Sequence, residues 1–387
     1  MRTKLLTNKK FKIAVVIPKY GLVGGGEKFA LELTERIAQN PRYEIHVFAN
    51  QWKIASDRFT FHKIPIITFP KFLTTISFSY FANRKISEMN FDLIHTHERI
   101  FYADIFTMHS IPHRIWVKDV RKKKIMSLFD YCTIWVERHL IKRAKKFVAV
   151  SSLTKEKFLE EYQVNPENVP VIHPGVDLDK FKNDDKAKRY EIRSHFGIDE
   201  SDAVILFVGM NFEIKGLDIL MRAIARTTSN QENNRLKLLV VGKGNEKKYK
   251  KLAYQLGITE NVIFAGLRKD HIEHIYFACD IFAMLSKFDT FGMSVLEAMA
   301  AGLPVIISRN VGAKDLVSDS GNGFVVEQDN IEAVRSKISL LLNREKREYM
   351  ANQARQTAIQ YSWEAMAERM TDIYETFLTS PAGTPCL

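Results

Sequence analysis

The sequence predicts an α/β protein made of two Rossmann-like domains, each a doubly wound parallel sheet, that face each other across a cleft. Three observations lead to this fold class. The chain has 387 residues, which is enough for two domains. Short apolar runs alternate with stretches of helical periodicity, a pattern typical of βαβ units. Residues 173–200 are rich in Asp, Lys and Arg, lack a sustained apolar run, and separate two halves of similar size.

Each half supplies the apolar runs that a buried parallel sheet requires. In the N-terminal half we predict strands at Lys12–Ile17, Ile45–Ala49, Leu93–His95, Ile105–Thr107, Phe147–Val150 and Val169–Ile172. In the C-terminal half we predict strands at Val204–Gly209, Leu236–Gly242, Val262–Ala265, Ile281–Leu285 and Val305–Ser308. The last helix is predicted to run from an N-cap at Ser362 to Phe377, with one apolar face.

The polar stretch between the halves is predicted to contain the domain boundary, with a hinge at about 176–181. The N-terminal domain then comprises residues 1–177 and is completed by the C-terminal helix, 362–380. The C-terminal domain comprises residues 178–361. Ligands of such sheets bind outside the carboxyl ends of the strands, so two facing domains can share one ligand.

Composition argues against several classes of protein. Hydrophobic residues make up 46% of the chain and charged residues 26%, as in soluble globular proteins. No apolar run reaches the roughly 20 residues that span a bilayer, so we expect a cytoplasmic protein. Cys132, Cys279 and Cys386 have no metal-ligand spacing, so we expect neither a zinc site nor disulfides. The net charge of +12 attracts polyanions of every kind.

Three adjacent glycines, Gly24, Gly25 and Gly26, follow the first strand and precede a helix expected to begin near Lys28. Glycines at such a place let backbone N–H groups approach a phosphate at the positive end of the helix. The spacing differs from the GxGxxG dinucleotide fingerprint. The loop is therefore either part of a phosphate-binding site or a flexible turn.

Lys215 lies at the predicted start of a helix, in the loop that follows the strand ending at Gly209. A lysine at this position is unfavourable for the helix dipole, so a nearby anion would account for it. The functional interpretation is neutralisation of a diphosphate. The alternative is an ordinary exposed lysine.

The run from Asp289 to Val305 is the most specific pattern, because a loop enters a helix and a strand follows it. The loop offers backbone N–H donors for a diphosphate at Phe291, Gly292 and Met293. Glu297 lies within an otherwise apolar helix, where a carboxylate needs a partner, and ribose hydroxyls would supply one. Asp289 is either a residue on the donor-sugar side or the N-cap of this helix.

These motifs resemble those of the family-4 retaining glycosyltransferases, which have the GT-B fold, over nearly the whole chain. Gly24 to Glu27 resembles the family's Gly-Gly-x-Glu loop, and Asp289 to Glu297 resembles its Glu-x7-Glu motif. The Gly-Val-Asp sequence at 175–177 resembles its hinge. Residues 20–25 and 50–52 are most similar to the lipopolysaccharide-core glucosyltransferase branch.

The resemblance implies transfer of a hexose from a nucleotide-sugar donor, UDP-glucose foremost, to a glycolipid or lipopolysaccharide-core type acceptor. It implies retention of configuration without a metal ion or other cofactor, with Lys215 stabilising the leaving diphosphate. It also implies catalytic roles for Asp289 and for His109, which follows the strand at 105–107. For His109 the alternative is a structural histidine.

Three departures from the family pattern concern the donor site. Asp289 stands where the motif has Glu, Met210 where many members have Arg, and Ile214 where the core branch has Arg. Lys180, just past the Gly-Val-Asp sequence, and Arg268 are candidates to supply the missing positive charge. The departures leave a sugar-nucleotide-binding protein without transfer activity as an alternative.

Residues 113–146 form a strongly basic segment interleaved with apolar and aromatic residues. Trp and Tyr beside Lys and Arg suit the headgroup layer of an anionic membrane. We expect residues 121–124 to dock the protein peripherally on the inner face of the membrane, near a lipid-linked saccharide acceptor. The alternative is a helix whose basic residues are simply solvated. Nucleic-acid binding is a remote alternative function, because the sequence has no helix-turn-helix, zinc or RNA-binding signature.

Overall fold

A computed structural model describes residues 10–22, 24–53, 56–182, 186–228, 235–268 and 271–379, so Cys386 lies outside the described residues. The chain divides into two compact units. Unit 1 is Met1–Pro174 with Trp363–Leu387, and unit 2 is Gly175–Ser362. The division falls between residues 174 and 175, and the boundary predicted from the sequence lies three residues later, after 177. Each unit contains a six-stranded parallel sheet, which confirms the predicted fold class.

Unit 1 is built on a parallel sheet with helices in the connections between its strands. The strands of this unit are β1 (Phe11–Val16), β2 (Lys19–Tyr20), β3 (Tyr43–Ala49), β4 (Gln51–Trp52), β5 (Phe59–Lys63), β6 (Leu93–Thr96), β7 (Ile105–Met108) and β8 (Lys146–Ala149). β2 and β4 pair with each other in a separate two-stranded sheet. The first helices of unit 1 are α1 (Gly25–Ile37), α2 (Leu73–Ser87), α3 (His113–Ile115), α4 (Leu128–Ile141) and α5 (Ser152–Glu161). The sheet order is β5-β3-β1-β6-β7-β8, so the direction of winding reverses between β1 and β6.

Unit 2 repeats this architecture. Its strands are β9 (Ala203–Met210), β10 (Leu236–Lys243), β11 (Val262–Gly266), β12 (Ile281–Met284), β13 (Val305–Ser308) and β14 (Gly323–Val326). Its helices are α6 (Lys186–His195), α7 (Leu217–Thr228), α8 (Glu246–Gln255), α9 (Ile272–Phe277), α10 (Met293–Ala300), α11 (Ile331–Leu342) and α12 (Arg344–Ile359). The sheet order is β11-β10-β9-β12-β13-β14, so the winding reverses between β9 and β12.

The last helix, α13 (Trp363–Thr379), belongs to unit 1 and packs against α1. Trp363 is fully buried, and its ring meets the edge of Phe29 with 6.3 Å between centroids. Further along α13, Tyr374 Oη lies 2.6 Å from Nδ1 of His95, a residue of β6. The end of the chain therefore contributes to the core of the domain that its beginning forms.

Continuous apolar runs produce the central strands, because a parallel sheet covered on both faces leaves no side chain in water. Residues 13–16 of β1 and 204–207 of β9 are all fully buried. The predicted strand Val169–Ile172 is wrong: Val171 makes only an isolated bridge to Ala149. Pro170 has no N–H with which to continue a ladder.

Four short strands, β2, β4, β5 and β14, were not predicted. β2 and β4 have only two residues each, and β5 alternates apolar with polar residues. The basic segment 113–146 is not one long helix either. After α3 it forms a π-helical turn at Trp116–Val120, and α4 begins only at Leu128. Ser127 caps α4, and its hydroxyl accepts the Asp130 N–H. None of the helices formed by the described residues combines the length and the apolar character that crossing a bilayer requires.

Candidate active site

The candidate donor site lies at the edge of unit 2 where β9 and β12 end. These neighbouring parallel strands flank the point at which the winding reverses, where doubly wound sheets bind their ligands. Lys215 lies in the loop after β9, and Asp289 lies in the loop after β12. Lys215 Nζ forms an ion pair with Asp289 Oδ2, and the two side chains are only 20% and 15% exposed. The fold thus joins two residues that the sequence indicated separately.

Close backbone packing holds Lys215 in place. Gly216 has a φ of 74°, and a Cβ there would lie 2.0 Å from Leu285 O, so only glycine fits. A Cβ on Gly209 would lie 2.8 Å from Lys215 Cγ. Lys215 N donates a hydrogen bond to Asn211 O at 3.1 Å, which closes the turn after β9. The lysine is therefore placed by the backbone as well as by its carboxylate partner.

The loop after β12 carries Asp289 towards α10. Asp289 Oδ1 accepts a hydrogen bond from the Phe291 N–H at 3.3 Å, and the Gly312 N–H donates to Asp289 O at 3.0 Å. The N-cap of α10 is Gly292, so the interpretation of Asp289 as that N-cap is wrong. Amide groups at a helix start lack intrahelical partners and lie at the positive end of the helix dipole. The backbone from Phe291 to Met293 therefore suits an anion such as a diphosphate.

Glu297 lies two turns from the Asp289 loop, in the middle of α10, and is half-buried. Tyr276 of α9 donates a hydrogen bond from its Oη to Glu297 Oε2 at 3.0 Å. Tyr276 is fully buried, and burial together with the nearby carboxylate raises its pKa well above the usual value. This tyrosine was not among the predicted site residues, because nothing in its spacing relates it to Glu297.

The two cations considered as substitutes for a missing arginine have other contacts. Lys180 is exposed, and its Nζ lies 3.8 Å from Asp177 Oδ2. Arg268 donates from Nε to Ala265 O at 3.1 Å, and its guanidinium lies over the Phe196 ring at 5.7 Å. Among the contacts of the described residues, neither side chain reaches Lys215. The role of Lys180 in donor binding stays a prediction.

Unit 1 has a corresponding site at its own reversal point, where a cavity of about 390 Å³ opens. The residues that line it include Lys19, Gly26, Glu27, His97, Arg99 and His109. His97 directly follows β6, and His109 directly follows β7. His97 Nδ1 and His109 Nε2 share a hydrogen bond of 2.9 Å, and their rings are stacked.

Packing and burial keep these imidazoles neutral. A Cβ on Gly26 would lie 2.9 Å from His109 Cγ, so glycine allows α1 to approach this ring closely. Phe29 of α1 contacts both His97 and His109. Burial lowers the pKa of His97 well below its usual value, and it lowers the pKa of His109 to about 3. Both rings are therefore hydrogen-bonding groups rather than cations at neutral pH.

The glycine loop adjoins this cavity at the start of α1. Gly24 is the N-cap of α1, and Gly25 and Gly26 are its first two residues. A Cβ on Gly24 would lie 2.0 Å from Glu27 Oε2, so the Glu27 carboxylate lies against this glycine. A carboxylate at a helix N-terminus is favourable for the dipole. Gly24, Gly25 and Gly26 thus belong with His109 in unit 1, whereas Lys215, Asp289 and Glu297 belong to unit 2.

One group of three potential metal ligands occurs in the described part of the chain. It consists of His271, Glu273 and His274 at the beginning of α9. His271 Nδ1 lies 3.3 Å from Glu273 Oε1, and the two imidazole rings are stacked. None of the predicted site residues belongs to this group.

Comparison with known proteins agrees with this architecture. Residues 23–180 match the model described as Glycosyltransferase Family 4, and residues 188–357 match Glycosyl transferases group 1. The chain is 26% identical over 385 residues to an uncharacterized glycosyltransferase of Methanocaldococcus jannaschii, covering 94% of this chain and 98% of that protein. It is 27% identical over 333 residues to a D-inositol 3-phosphate glycosyltransferase of Corynebacterium urealyticum, covering 82% of this chain and 78% of that protein.

Solved structures show the same fold at low sequence identity. WaaG, a glycosyltransferase involved in lipopolysaccharide biosynthesis, has a TM-score of 0.80 at 21% identity, covering 95% of this chain and all of that one (100%). HepE of Anabaena in complex with UDP-glucose has a TM-score of 0.75 at 17% identity, covering 95% of this chain and 100% of that chain. The chain is therefore a glycosyltransferase with the GT-B fold. Its N-terminal part matches the Glycosyltransferase Family 4 model, and its C-terminal part matches the Glycosyl transferases group 1 model.

Proposed function

We propose that this glycosyltransferase transfers a hexose from UDP-glucose with retention of configuration and without a metal ion. The observation that carries the proposal is the Lys215–Asp289 ion pair beside the start of α10. A fixed ammonium group and the helix amides together provide what a departing diphosphate needs: positive charge in place before the bond breaks. The leaving diphosphate then takes the proton of the acceptor hydroxyl, on the face from which it departs.

The predicted residues after β9, after β12 and in α10 each have a defined role in this proposal. Lys215 stabilises the diphosphate, and Asp289 holds the lysine in place and lies towards the transferred sugar. The backbone of Phe291, Gly292 and Met293 binds phosphate oxygens. Glu297 accepts hydrogen bonds from the ribose hydroxyls, with Tyr276 on its other side.

We further propose that the acceptor is a saccharide carried by a lipid, as for a lipopolysaccharide core, at the inner face of an anionic membrane. An exposed stripe along α4 supports this. Its members recur at helical spacing and are Leu128, Tyr131, Trp135, Arg138 and Lys142. Ile125, between the basic run and α4, is 84% exposed, and Phe69 is 88% exposed. Exposed aromatic and apolar groups beside lysines suit a lipid headgroup layer.

The ion pairs of unit 1 reduce the number of basic residues on this surface that can contact a membrane. Arg121 is paired with the fully buried Asp130, with 3.4 Å between guanidinium nitrogen and carboxylate oxygen. Asp130 also contacts His113 Nε2 at 2.9 Å. Arg121 therefore helps to hold the segment in place, and residues 122–124 remain as the exposed lysines. Each lysine near an anionic surface contributes about 1 kcal/mol.

The relatives that act on D-inositol 3-phosphate favour a second acceptor class, a soluble phosphorylated polyol. Transfer from UDP-glucose to a lipid-linked core saccharide and to inositol phosphate would be measured side by side, with and without EDTA. We expect an α-linked product in NMR spectra of the lipid-linked acceptor, at a rate that EDTA does not change. A β-linked product would contradict retention, and loss of activity restored by Mn²⁺ or Mg²⁺ would contradict the metal-independent mechanism.

A further inference from the structure

We infer that Tyr276 is a positioning residue for Glu297 and thereby makes the donor site select a ribonucleotide. The inference rests on the proposed function, because it assumes that Glu297 binds the donor ribose. Tyr276 has no counterpart among the motif residues that the sequence indicated. Its position follows from the tertiary structure alone.

The hydrogen bond from Tyr276 Oη to Glu297 Oε2 fixes the direction of the carboxylate. Glu297 is flanked in α10 by the buried residues Leu296 and Ala298, so its side chain leaves the helix from an apolar stretch. A flexible glutamate would have to lose rotamer freedom on binding a diol, and a positioned one has already lost it. Each carboxylate oxygen can accept two hydrogen bonds, so the tyrosine leaves capacity for two ribose hydroxyls.

Tyr276 is itself rigid because aromatic rings surround it. Phe181 contacts its ring edge-on with centroids 5.9 Å apart, and Phe282 of β12 packs at 6.3 Å. Phe181 ends the 3₁₀ turn Leu178–Phe181, near the start of unit 2. Arg355 of α12 donates a hydrogen bond to Phe181 O at 2.9 Å. The hydroxyl therefore has one well-defined direction, towards Glu297.

The test is the affinity for UDP and for its 2′-deoxy and 3′-deoxy forms, measured by calorimetry on the full chain. Tyr276→Phe keeps the ring and removes the hydroxyl. We expect it to weaken UDP binding about 3- to 10-fold, the effect of losing one hydrogen bond. The same variant should weaken binding of the 2′-deoxy and 3′-deoxy forms less, because these nucleotides make fewer hydrogen bonds to Glu297. In steady state the donor KM should rise while kcat stays within about two-fold, since ribose binding is equal in ground and transition states.

Two further variants separate positioning from general stability. In a Glu297→Ala background, which has no side-chain acceptor for the tyrosine hydroxyl, adding Tyr276→Phe should cause no additional loss of UDP affinity. Tyr249→Phe is the matched control. Tyr249 is also a buried tyrosine of unit 2, and its Oη has no hydrogen-bond partner among the described residues. That control should bind UDP like the wild type.

The outcomes distinguish this inference from the proposed function. If the wild type does not bind UDP, or Glu297→Gln binds it equally well, the proposed donor site is wrong. If Glu297→Gln loses affinity while Tyr276→Phe retains it and discriminates against deoxy nucleotides like the wild type, only the positioning role is refuted. Should Tyr276→Phe unfold, Phe181→Leu provides the test, because it loosens the tyrosine ring without removing the hydroxyl. Unchanged UDP affinity in that variant would then overturn the inference.

Discussion

Replacing Lys215 by methionine removes the charge of the ion pair and keeps a long, flexible side chain. Asp289 then loses its cation although it is only 15% exposed, and the Phe291 N–H at 3.3 Å remains as its hydrogen-bond donor. Hydrogen bonds to charged groups contribute about 1.5–3 kcal/mol, and breaking a fully buried pair costs about 3–5 kcal/mol. Because solvent still reaches part of this pair, we expect the free energy of unfolding to fall by about 2–3 kcal/mol.

The same substitution should lower turnover for a different reason. Removing one preorganised group that stabilises developing charge typically costs about 10²–10³ in kcat. Adding Asp289→Asn to the variant removes the unpaired carboxylate and should restore most of the lost stability. It should not restore turnover, because the diphosphate still lacks the ammonium group of Lys215.

The assay combines urea unfolding with initial rates of UDP release from UDP-glucose. Lys287→Met is the matched control: this lysine lies in the same loop as Asp289 but is 45% exposed, and its Nζ is 3.8 Å from Glu213. We expect this control variant to have nearly the stability and the turnover of the wild type. A double variant with wild-type turnover would refute the catalytic role of the charge. Wild-type stability in Lys215→Met would refute the structural role of the pair.

Three further predictions concern Glu297, the buried histidines of unit 1 and the exposed lysines at 122–124. Glu297→Ala should weaken UDP binding by roughly 1.5–3 kcal/mol, or about 10- to 150-fold by calorimetry, and unchanged affinity would end its assignment to ribose. The low pKa of His97 and His109 means that the unfolded chain binds more protons below pH about 6.5, so stability should fall from about pH 6.5 towards about 3. His109→Gln should flatten that dependence in acid-unfolding curves, and an unaltered slope would contradict the neutral imidazole. Glutamates at 122–124 should abolish salt-sensitive co-sedimentation with anionic vesicles, whereas glutamates at the exposed lysines 247, 250 and 251 of unit 2 should not.

Local patterns predicted much of the fold. The buried strands β1, β3, β9, β10 and β13 coincide closely with apolar runs, because each forms part of a sheet covered on both faces. α10 begins at Met293, in the loop where a helix start was expected, whereas α1 begins at Gly25, three residues before the start expected near Lys28. Such signals are local, since they depend only on which neighbours along the chain can enter a strand or begin a helix.

Errors arose where the local signal was incomplete. Val169–Ile172 is apolar, but Pro170 interrupts its hydrogen bonding, so hydrophobicity alone misled the prediction. The basic segment 113–146 has helical periodicity, yet residues 121–127 leave the helix. Arg121 pairs there with the buried Asp130, a contact that periodicity could not indicate.

The sequence by itself determined the two-domain α/β architecture, the glycine-lined loops and the identity of Lys215, Asp289 and Glu297 as candidate donor-site residues. Only the tertiary structure paired Lys215 with Asp289, because their strands β9 and β12 are neighbours in space although distant in the chain. It likewise placed Tyr276 against Glu297. Periodicity records which face of an element is buried, and the partner that each buried polar group finds depends on how the strands are ordered in the sheet.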